Sequence, residues 1–448
     1  MTPKQTAEAI PAAQAFPAAQ ALSAAQALPG AQTVPATQAI PTVPAVPATD
    51  AAAIAPAAAG RERATALLLN IAHALDHMFL LIFATAIATI AADFGLSSWE
   101  SLMPYTVGAF FLFGIGSLPS GRLGDLWGRR RMMVIFFVGL GTSAVLASLA
   151  AGPWTLAAAL ALLGLFASIY HPVGIPMLLQ RATRPGWTIG VNGLAGNLGI
   201  AAAALVTGLL VKFLGWRAAF AVPGLIAIAL GIAFARIATP EAEAPAKRKT
   251  KRLELPPGVL ARVLTVMTAT AITGSLLFNF TTNGNGQLLQ QRLRDLVQDP
   301  ATLGALLAAV YAVASLTQLV VGRLIDRYPL KRLYLGIVLL QVPLFALAAI
   351  SDGWVAFAVQ LGFMITVFGA IPFTDAIVVR FVDDQTRSRV SGIRLAISYG
   401  VSSLAVWLLG PIVGAAGFDV LLWMMTGIAV CTAIAILWLP AFEPQPVA

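Results

Sequence analysis

Gly121-Arg122-Leu123-Gly124-Asp125 returns in the second half of the chain as Gly322-Arg323-Leu324-Ile325-Asp326. Each copy stands where a long apolar run ends and a basic loop begins. A repeat of this kind inside a hydrophobic chain indicates two similar halves, an arrangement typical of secondary transporters. The pattern therefore predicts an all-α membrane protein built from two pseudo-symmetric six-helix halves.

The composition makes a membrane environment necessary. Hydrophobic residues form 58% of the 448 residues, charged residues form only 10%, and the mean hydropathy is +0.84. A soluble domain of this length cannot bury so much apolar surface, so the lipid bilayer is the first expected partner. Since about 20 residues suffice for a helix to cross a bilayer, we expect twelve transmembrane helices. They lie near residues 65–92, 102–121, 132–151, 154–179, 187–212, 216–236, 259–282, 301–321, 332–350, 354–379, 390–414 and 418–440.

Positive charges lie almost entirely on one side of these spans. The formal net charge is +9, from 28 Lys and Arg residues against 19 Asp and Glu residues. Of these 28, the opposite side carries only Lys212, Arg217, Arg292 and Arg294. By the positive-inside rule we expect both termini in the cytoplasm and the chain in a plasma (bacterial inner) membrane. Because this bias explains the basic character, no nucleic-acid partner is expected.

Composition also divides the chain into segments. Residues 1–60 repeat a six-residue unit rich in Ala, Pro and Gln, and the regular prolines predict a disordered cytoplasmic tail. The sequence does not identify a protein partner for this tail. Two six-helix halves, 64–235 and 258–440, flank a basic cytoplasmic linker at 236–257. Residues 441–448 are expected to be a short cytoplasmic tail.

Three stretches resemble a known family. The first copy of the repeat extends as GRLGDLWGRRR and resembles the signature that the major facilitator superfamily carries between its second and third spans. Gly215–Phe220 is also typical of that superfamily. Within it, Ile169–Pro172 and the polar run Asn70–His77 resemble the fosmidomycin-resistance group of exporters. The resemblance covers residues 64–440 and implies the major facilitator fold, with a small molecule moved by alternating access.

Two departures from the superfamily's pattern bear on the direction of transport. Leu126 stands where a basic residue usually follows the motif's Asp, although the second copy keeps that residue as Arg327. The fifth span also lacks the Gly-Pro pair that proton–drug antiporters of the family often carry. Proton-coupled export of a drug or metabolite is the first expectation. Uptake or uniport of a small organic anion stays open, as does a membrane ligand sensor without net transport.

The loop motif indicates a conformational latch. Gly121 permits tight contact between helices. Asp125 can meet the N-terminus of another helix, such as the eleventh span, and pair with nearby arginines. A charge cluster that only sets the topology is the alternative. The expected latch residues are Gly121, Asp125, Arg129 and Arg130, with Gly322, Asp326 and Arg327 as the weaker counterpart in the second half.

Polar groups inside the predicted spans mark the candidate site, because such groups are costly in lipid. The first span carries Asn70, His73, Asp76 and His77 at spacings of three and four, which places them on one helix face. His171 lies in the fourth span, and the resemblance implies that both spans face the central cavity. We therefore expect Asp76 and His171 to share or exchange a proton. The alternative is a structural polar cluster.

Further polar residues extend this candidate site. Asn192 in the fifth span, with Asn279 and Asn283 in the seventh, is expected to contact protons or substrate. If the outer part of the seventh span is instead a loose loop, its amides would not do so. Asp375 in the tenth span and Arg394 in the eleventh can form a salt bridge that acts as an inner gate. An ordinary contact between two helices is the competing interpretation.

The sequence offers no catalytic or cofactor-binding motif. Gly193-Leu194-Ala195-Gly196 lacks the Lys-Ser/Thr ending of a phosphate-binding loop. Three histidines and the single Cys431 indicate no metal cluster, no nucleophile triad and no intrachain disulfide. We therefore expect a protein that is not an enzyme, has no cofactor, and binds a small molecule and protons.

Overall fold

The computed structural model describes residues 48–180, 182, 185–238, 256–382 and 384–441. The chain forms two units, Met1–Ala53 and Ile54–Ala448, and the long apolar helices belong to the second. Residues 1–47 of the expected tail, the basic part of the linker and residues 442–448 lie outside the described residues. The described residues are almost all helical and include no β-strand.

The second unit is a helical bundle with short loops. In chain order its helices are α1 (Ala59–Asp93, the apolar part of a helix assigned from Ala48), α2 (Val107–Trp127), α3 (Arg129–Ser148), α4 (Pro153–Leu179), α5 (Pro185–Leu214), α6 (Trp216–Ile237), α7 (Pro257–Arg292), α8 (Pro300–Ile325), α9 (Leu330–Ile350) and α10 (Gly353–Phe381). The last helical stretch, Asp384–Leu437, is interrupted at Gly417, where φ is 79°. Because glycine tolerates positive φ, the chain turns there and divides into α11 (384–416) and α12 (418–437).

The number of spans agrees with the predicted twelve if α2 is counted as a span and if α11 and α12 are counted separately. Among the described residues, ten helices are long and apolar enough to cross a membrane. That set takes α11 and α12 as a single stretch, Ile393–Leu437, and does not contain α2. Although α2 has 21 residues, Pro119 and the charged end of the loop motif lower its apolar character. The predicted twelve are these ten with α2 added and α11 separated from α12.

Two helices extend further than the sequence predicts. Helix already begins at Ala48, inside the segment 1–60 that we expect to be disordered, and the alanine-rich sequence there favours helix. The second helix is α7. It continues unbroken to Arg292, whereas the predicted span ends near residue 282. Its amides are buried there, with Asn285 2% and Gln287 5% exposed. Packing therefore holds the outer part of α7 in helical form.

The two halves meet where small residues let helices approach closely. A Cβ atom added to Gly208 of α5 would lie 2.7 Å from the carbonyl oxygen of Pro300, at the start of α8. A Cβ atom added to Gly114 of α2 would lie 2.6 Å from the Cβ atom of Tyr399 in α11. Glycine at such positions permits backbone contact between helices in lipid. The pairs α5–α8 and α2–α11 thus join the halves.

Candidate functional site

A widened turn in α4 positions the first part of the site. Residues Tyr170–Gly174 form a π-helical turn around Pro172. Proline cannot donate the usual helical hydrogen bond, and such turns often occur at functional sites. The turn brings Tyr170 and His171 against α1: the rings of Tyr170 and His73 stack with centroids 4.7 Å apart, and those of His171 and His73 meet edge-on at 5.1 Å.

All three histidines of the chain converge at this turn. One ring nitrogen from each of His73, His77 and His171 lies within 4.8 Å of the others. We call these three residues the histidine cluster. His73 and His77 stand four residues apart, a spacing that suits two metal ligands on one helix face. His171 is distant in sequence, and only the packing of α4 on α1 brings it to the other two. Their juxtaposition is therefore a structural finding.

Asp76 lies beside the histidine cluster in a fully buried position. It stands at the middle of α1, and its side chain is 0% exposed. Its Oδ2 atom lies 3.5 Å from Nε2 of His171. Neither carboxylate oxygen has a hydrogen-bond partner among the described residues. Since an ionised carboxylate without donors is expensive in an apolar interior, the site responds strongly to any positive charge or proton that reaches it.

Asn192 of α5 fixes the orientation of the cluster's first histidine. Its carbonyl oxygen lies 2.7 Å from Nδ1 of His73, which must donate to it. The neutral His73 ring then presents the lone pair of Nε2, and Nε2 of His77 lies 3.2 Å from that atom. The side-chain amide of Asn192 donates to Oδ1 of Asn70 at 2.9 Å and to the Tyr170 hydroxyl at 2.7 Å.

Aromatic side chains connect the histidine cluster with the second half. Phe113 of α2 lies edge-on to His171, with ring centroids 5.9 Å apart, and edge-on to Tyr399 of α11 at 4.5 Å. Tyr399 itself approaches His171 to 6.4 Å. Tyr170 precedes His171 in the sequence motif, and this position could have indicated that Tyr170 belongs to the site. Nothing in the sequence points to Phe113 or Tyr399, because the contact depends on how the halves meet.

The expected inner gate forms a salt bridge inside one half. Nη2 of Arg394 lies 2.6 Å from Oδ1 of Asp375, and its Nη1 donates to the Thr374 hydroxyl at 3.0 Å. Both helices involved, α10 and α11, belong to the second half. In this conformation the bridge therefore joins two helices of the second half and does not connect the two halves.

The first copy of the loop motif packs within its own half. Asp125 is exposed and lies 3.7 Å from Arg129, four residues further on. A Cβ atom on Gly121 would make ordinary contact with Pro172 at 3.4 Å. Arg130 donates to the carbonyl oxygen of Ala235 and so ties α3 to α6. The predicted latch would place Asp125 near the start of α11. The structure does not describe the side chains at that position.

The second copy of the motif makes looser contacts. A Cβ atom on Gly322 would meet nothing within 4 Å. Asp326 and Arg327 are both exposed at the end of α8. This copy therefore lacks the helix packing that the first copy has at Gly121.

The predicted amides of α7 pair within the second half. Nδ2 of Asn279 donates to the Ser402 hydroxyl of α11 at 2.8 Å. Nδ2 of Asn283 donates to the carbonyl oxygen of Asn279 at 3.1 Å, and Oδ1 of Asn283 has no partner among the described residues. The first of these bonds connects α7 with α11, the second lies within α7, and the unpaired oxygen of Asn283 is free to accept a hydrogen bond.

Contacts between the two halves join them at the end of the bundle that we predict to be extracellular. Nζ of Lys212 lies 2.8 Å from Oδ1 of Asp299, which precedes α8. The hydrogen bond from Lys212 holds the pKa of Asp299 below its usual value. Nε2 of Gln287 donates to the carbonyl oxygen of Ala84 at 3.0 Å, which joins α7 to α1. Both contacts connect one half with the other.

A match along nearly all of the bundle decides the family. The Major Facilitator Superfamily model matches residues 69–293 and 273–448. The chain belongs to the Major Facilitator Superfamily. Its finer resemblance to the fosmidomycin-resistance group stays a prediction.

Solved structures of the Major Facilitator Superfamily fold are similar. A bacterial homologue of the human lysosomal transporter Spinster, in an inward-facing and occupied conformation, gives a TM-score of 0.66 at 15% identity over 84% of this chain and 93% of that chain. The same kind of protein in an inward-facing and unoccupied conformation gives 0.64 at 14% identity, over 85% of this chain and 95% of that one. At these identities the likeness shows the fold alone.

Several curated relatives of this superfamily member come from actinomycetes. A probable actinorhodin transporter of Streptomyces coelicolor is 32% identical over 43% of this chain and 34% of its own length. The puromycin resistance protein pur8 of Streptomyces alboniger is 33% identical over 30% of this chain and 27% of its own length. The cephamycin export protein CmcT of Amycolatopsis lactamdurans is 29% identical over 42% and 40% respectively. The chain thus spans well under half the length of these relatives.

Proposed function

We propose that this protein exports a small organic molecule by alternating access and exchanges it for protons at Asp76 and His171. The observation that carries the proposal is the buried Asp76 carboxylate, whose close partner is a histidine on another helix. Intramembrane acids of this kind occur in proton relays of pumps and transporters. A proton bound there removes the uncompensated charge, so its release requires that water or another charge reaches the site.

The arrangement of the halves supplies the conformational change. The halves touch at the predicted extracellular end through Lys212 and Asp299, and near the middle through Phe113 and Tyr399. Rocking one half against the other would separate the first contact and change what lies against His171. Proton occupancy and the conformation of the carrier are thereby coupled, which is the requirement for antiport.

Export is favoured by what the relatives' names say of them. Two are named for transport or export, of actinorhodin and of cephamycin, and the third for puromycin resistance. Each name concerns a small organic molecule. Together with the one-sided distribution of Lys and Arg, this supports a carrier in a plasma membrane with both termini in the cytoplasm.

The test is transport into everted membrane vesicles whose interior is acidified. Puromycin, actinorhodin, a cephamycin and labelled small organic anions would be added to the outside one at a time. Export predicts that at least one of the three antibiotics accumulates inside vesicles that contain the protein, beyond the passive trapping of a weak base seen in matched vesicles without it, and that a protonophore abolishes the accumulation. Organic anions that equilibrate regardless of the proton gradient, with no accumulation of any antibiotic, would replace the proposal by uniport.

A further inference from the structure

We propose that the histidine cluster binds a divalent transition-metal cation of the zinc type. The cluster contains every histidine of the chain, contributed by two helices whose sequence positions are far apart. Convergence of all three rings at one point inside the bundle, with His73 buried and the other two partly buried, calls for a chemical explanation. Imidazole nitrogen is a preferred ligand of Zn²⁺, Co²⁺, Ni²⁺ and Cu²⁺, and three histidines with one open position form a common zinc set.

The distances suit tetrahedral coordination. Zinc–nitrogen bonds of about 2.0–2.1 Å place two tetrahedral ligand atoms about 3.3 Å apart. Nε2 of His73 and Nε2 of His77 lie 3.2 Å apart, and one ring nitrogen from each of the three histidines lies within 4.8 Å of the others. Two of the three ligands thus already have the required separation. Rotation of the His171 ring about its side-chain bonds would bring in the third.

Neighbouring groups hold the ligands as they would around a metal ion. A metal-bound histidine usually donates its other ring nitrogen to a carbonyl or carboxylate, which fixes its tautomer and direction. Nδ1 of His73 does this with the carbonyl oxygen of Asn192 at 2.7 Å. Asn192 is in turn held by its amide hydrogen bonds to Asn70 and Tyr170. The lone pair on Nε2 of His73 therefore faces the interior of the cluster.

Asp76 provides the charge that a cation requires. Its carboxylate is fully buried, lies 3.5 Å from Nε2 of His171, and has no hydrogen-bond donor among the described residues. A cation among the histidines would compensate this charge. In turn, the carboxylate would offset the cost of bringing a dication into an apolar interior. Asp76 is thus either the neighbour that orients His171 or the fourth ligand.

The metal site shares Asp76 and His171 with the proposed proton exchange but is independent of what is transported. Metal binding requires imidazoles that carry no additional proton, so the ion and the coupling proton exclude each other. Binding can be measured in detergent without substrate or gradient. A negative result there would leave the vesicle assay for export unaffected, and failure of export would leave the binding result unaffected.

The experiment is a titration of the purified full-length chain with Zn²⁺, followed by equilibrium dialysis, and with Co²⁺, followed by visible absorption. The protein carries an affinity tag without histidine and is stripped with chelator first. We expect one Zn²⁺ per chain and the intense absorption of tetrahedral Co²⁺. His77→Gln and His171→Gln, on different helices, should each abolish the absorption. Asp76→Asn should weaken binding by roughly 10- to 100-fold, the usual effect of losing an outer partner.

Two control variants separate this site from incidental binding. Cys431→Ser removes the only thiol, and Asp295→Asn removes an exposed acid that pairs only with its neighbour Arg294 in the described structure. Both should bind Zn²⁺ as the wild type does. Size-exclusion profiles report whether the histidine variants fold. Lack of any stoichiometric binding by the wild type would overturn the proposal even if those variants misfold, and so would binding that survives in both folded variants.

Discussion

Asn192 links three helices through one side chain and one carbonyl group. From α5 it accepts a hydrogen bond from His73 of α1 and donates to Asn70 of α1 and to Tyr170 of α4. Tyr170 in turn donates to the carbonyl oxygen of Leu69 at 2.9 Å. Because these groups are buried or partly buried, losing one partner leaves others unsatisfied. The geometry of the candidate site thus depends on a residue that carries no charge.

Replacement of this amide should destabilise the protein measurably. We expect Asn192→Ala to lower the free energy of unfolding by about 1–3 kcal/mol, since it leaves Asn70 and Tyr170 without their donor. Thermal unfolding in detergent checks this. The matched control is Asn197→Ala on the same helix, because Nδ2 of Asn197 is buried without a partner among the described residues. Equal losses for the two variants would contradict the role given to Asn192.

The sequence predicts much of the candidate site at this scale. The three- and four-residue spacing of Asn70, His73, Asp76 and His77 on one helix predicts their shared face, and the structure brings His171 to it. What the sequence does not provide is the set of partners from other helices. The hydrogen bond that Asn192 donates to Tyr170 and the position of the Tyr399 ring beside His171 both depend on three-dimensional packing. Hydrophobic periodicity does not specify that packing.

Close contacts between helices of the two halves depend on glycine, which has no side chain. Gly114 allows α2 to contact α11 at Tyr399, directly beside Phe113 and His171. The atom that a new methyl group would meet is the Cβ of Tyr399, which cannot rotate away. This contact therefore fixes how closely α11 approaches the histidine cluster.

A methyl group at this contact should push the two helices apart. We expect Gly114→Ala to cost about 1–3 kcal/mol, as overpacking does, and to reduce transport. Unfolding temperature and vesicle uptake measure the two effects. Gly427→Ala in α12 is the control, because a Cβ atom there meets nothing within 4 Å. If both variants retain wild-type transport and stability, α2 and α11 do not need this close approach.

Helix boundaries show where sequence reasoning succeeds and where it does not. Runs of apolar residues predict the positions of α3, α6 and α9 well, because each is an unbroken apolar stretch of the length that a span requires. The outer part of α7 reads as a polar, glycine-containing segment, yet it is helical. Partners on other helices satisfy several of its groups, as the bond from Gln360 to the carbonyl oxygen of Asn285 at 3.2 Å shows. A linear pattern does not reveal such partners.

At the scale of the whole molecule, the bridge from Lys212 to Asp299 joins the halves at the predicted extracellular end. Both side chains are more than a third exposed, so the bridge contributes modestly and is screened by salt. Its effect is a bias between conformations. Neither residue is in the family motif, and the sequence alone predicts no contact between them.

This bridge should make closure of that end sensitive to acid. Since the pKa of Asp299 is lowered by the hydrogen bond from Lys212, the stabilisation is complete above the ordinary Asp pKa. It is lost as the pH falls through the lowered value. Spin labels on Phe213→Cys and Leu296→Cys, in a Cys431→Ser background, report the separation of the two halves. We expect acidification to populate longer distances.

Charge removal at neutral pH should reproduce that opening. Asp299→Asn and Lys212→Gln should each shift the distance distribution as acid does, and the double variant should add little to either. A pH response that persists unchanged in Asp299→Asn would show that another group controls closure.

Proton movement at Asp76 is the measurement that tests the central claim most directly. Everted vesicles with an acidic interior and a pH-sensitive dye would hold the wild type, Asp76→Asn or the surface control Asp295→Asn at equal expression. Adding an antibiotic that the wild type accumulates should release protons from the interior of wild-type and control vesicles. It should release none in Asp76→Asn, whose side chain carries no ionisable group. Equal proton release by Asp76→Asn would contradict the account.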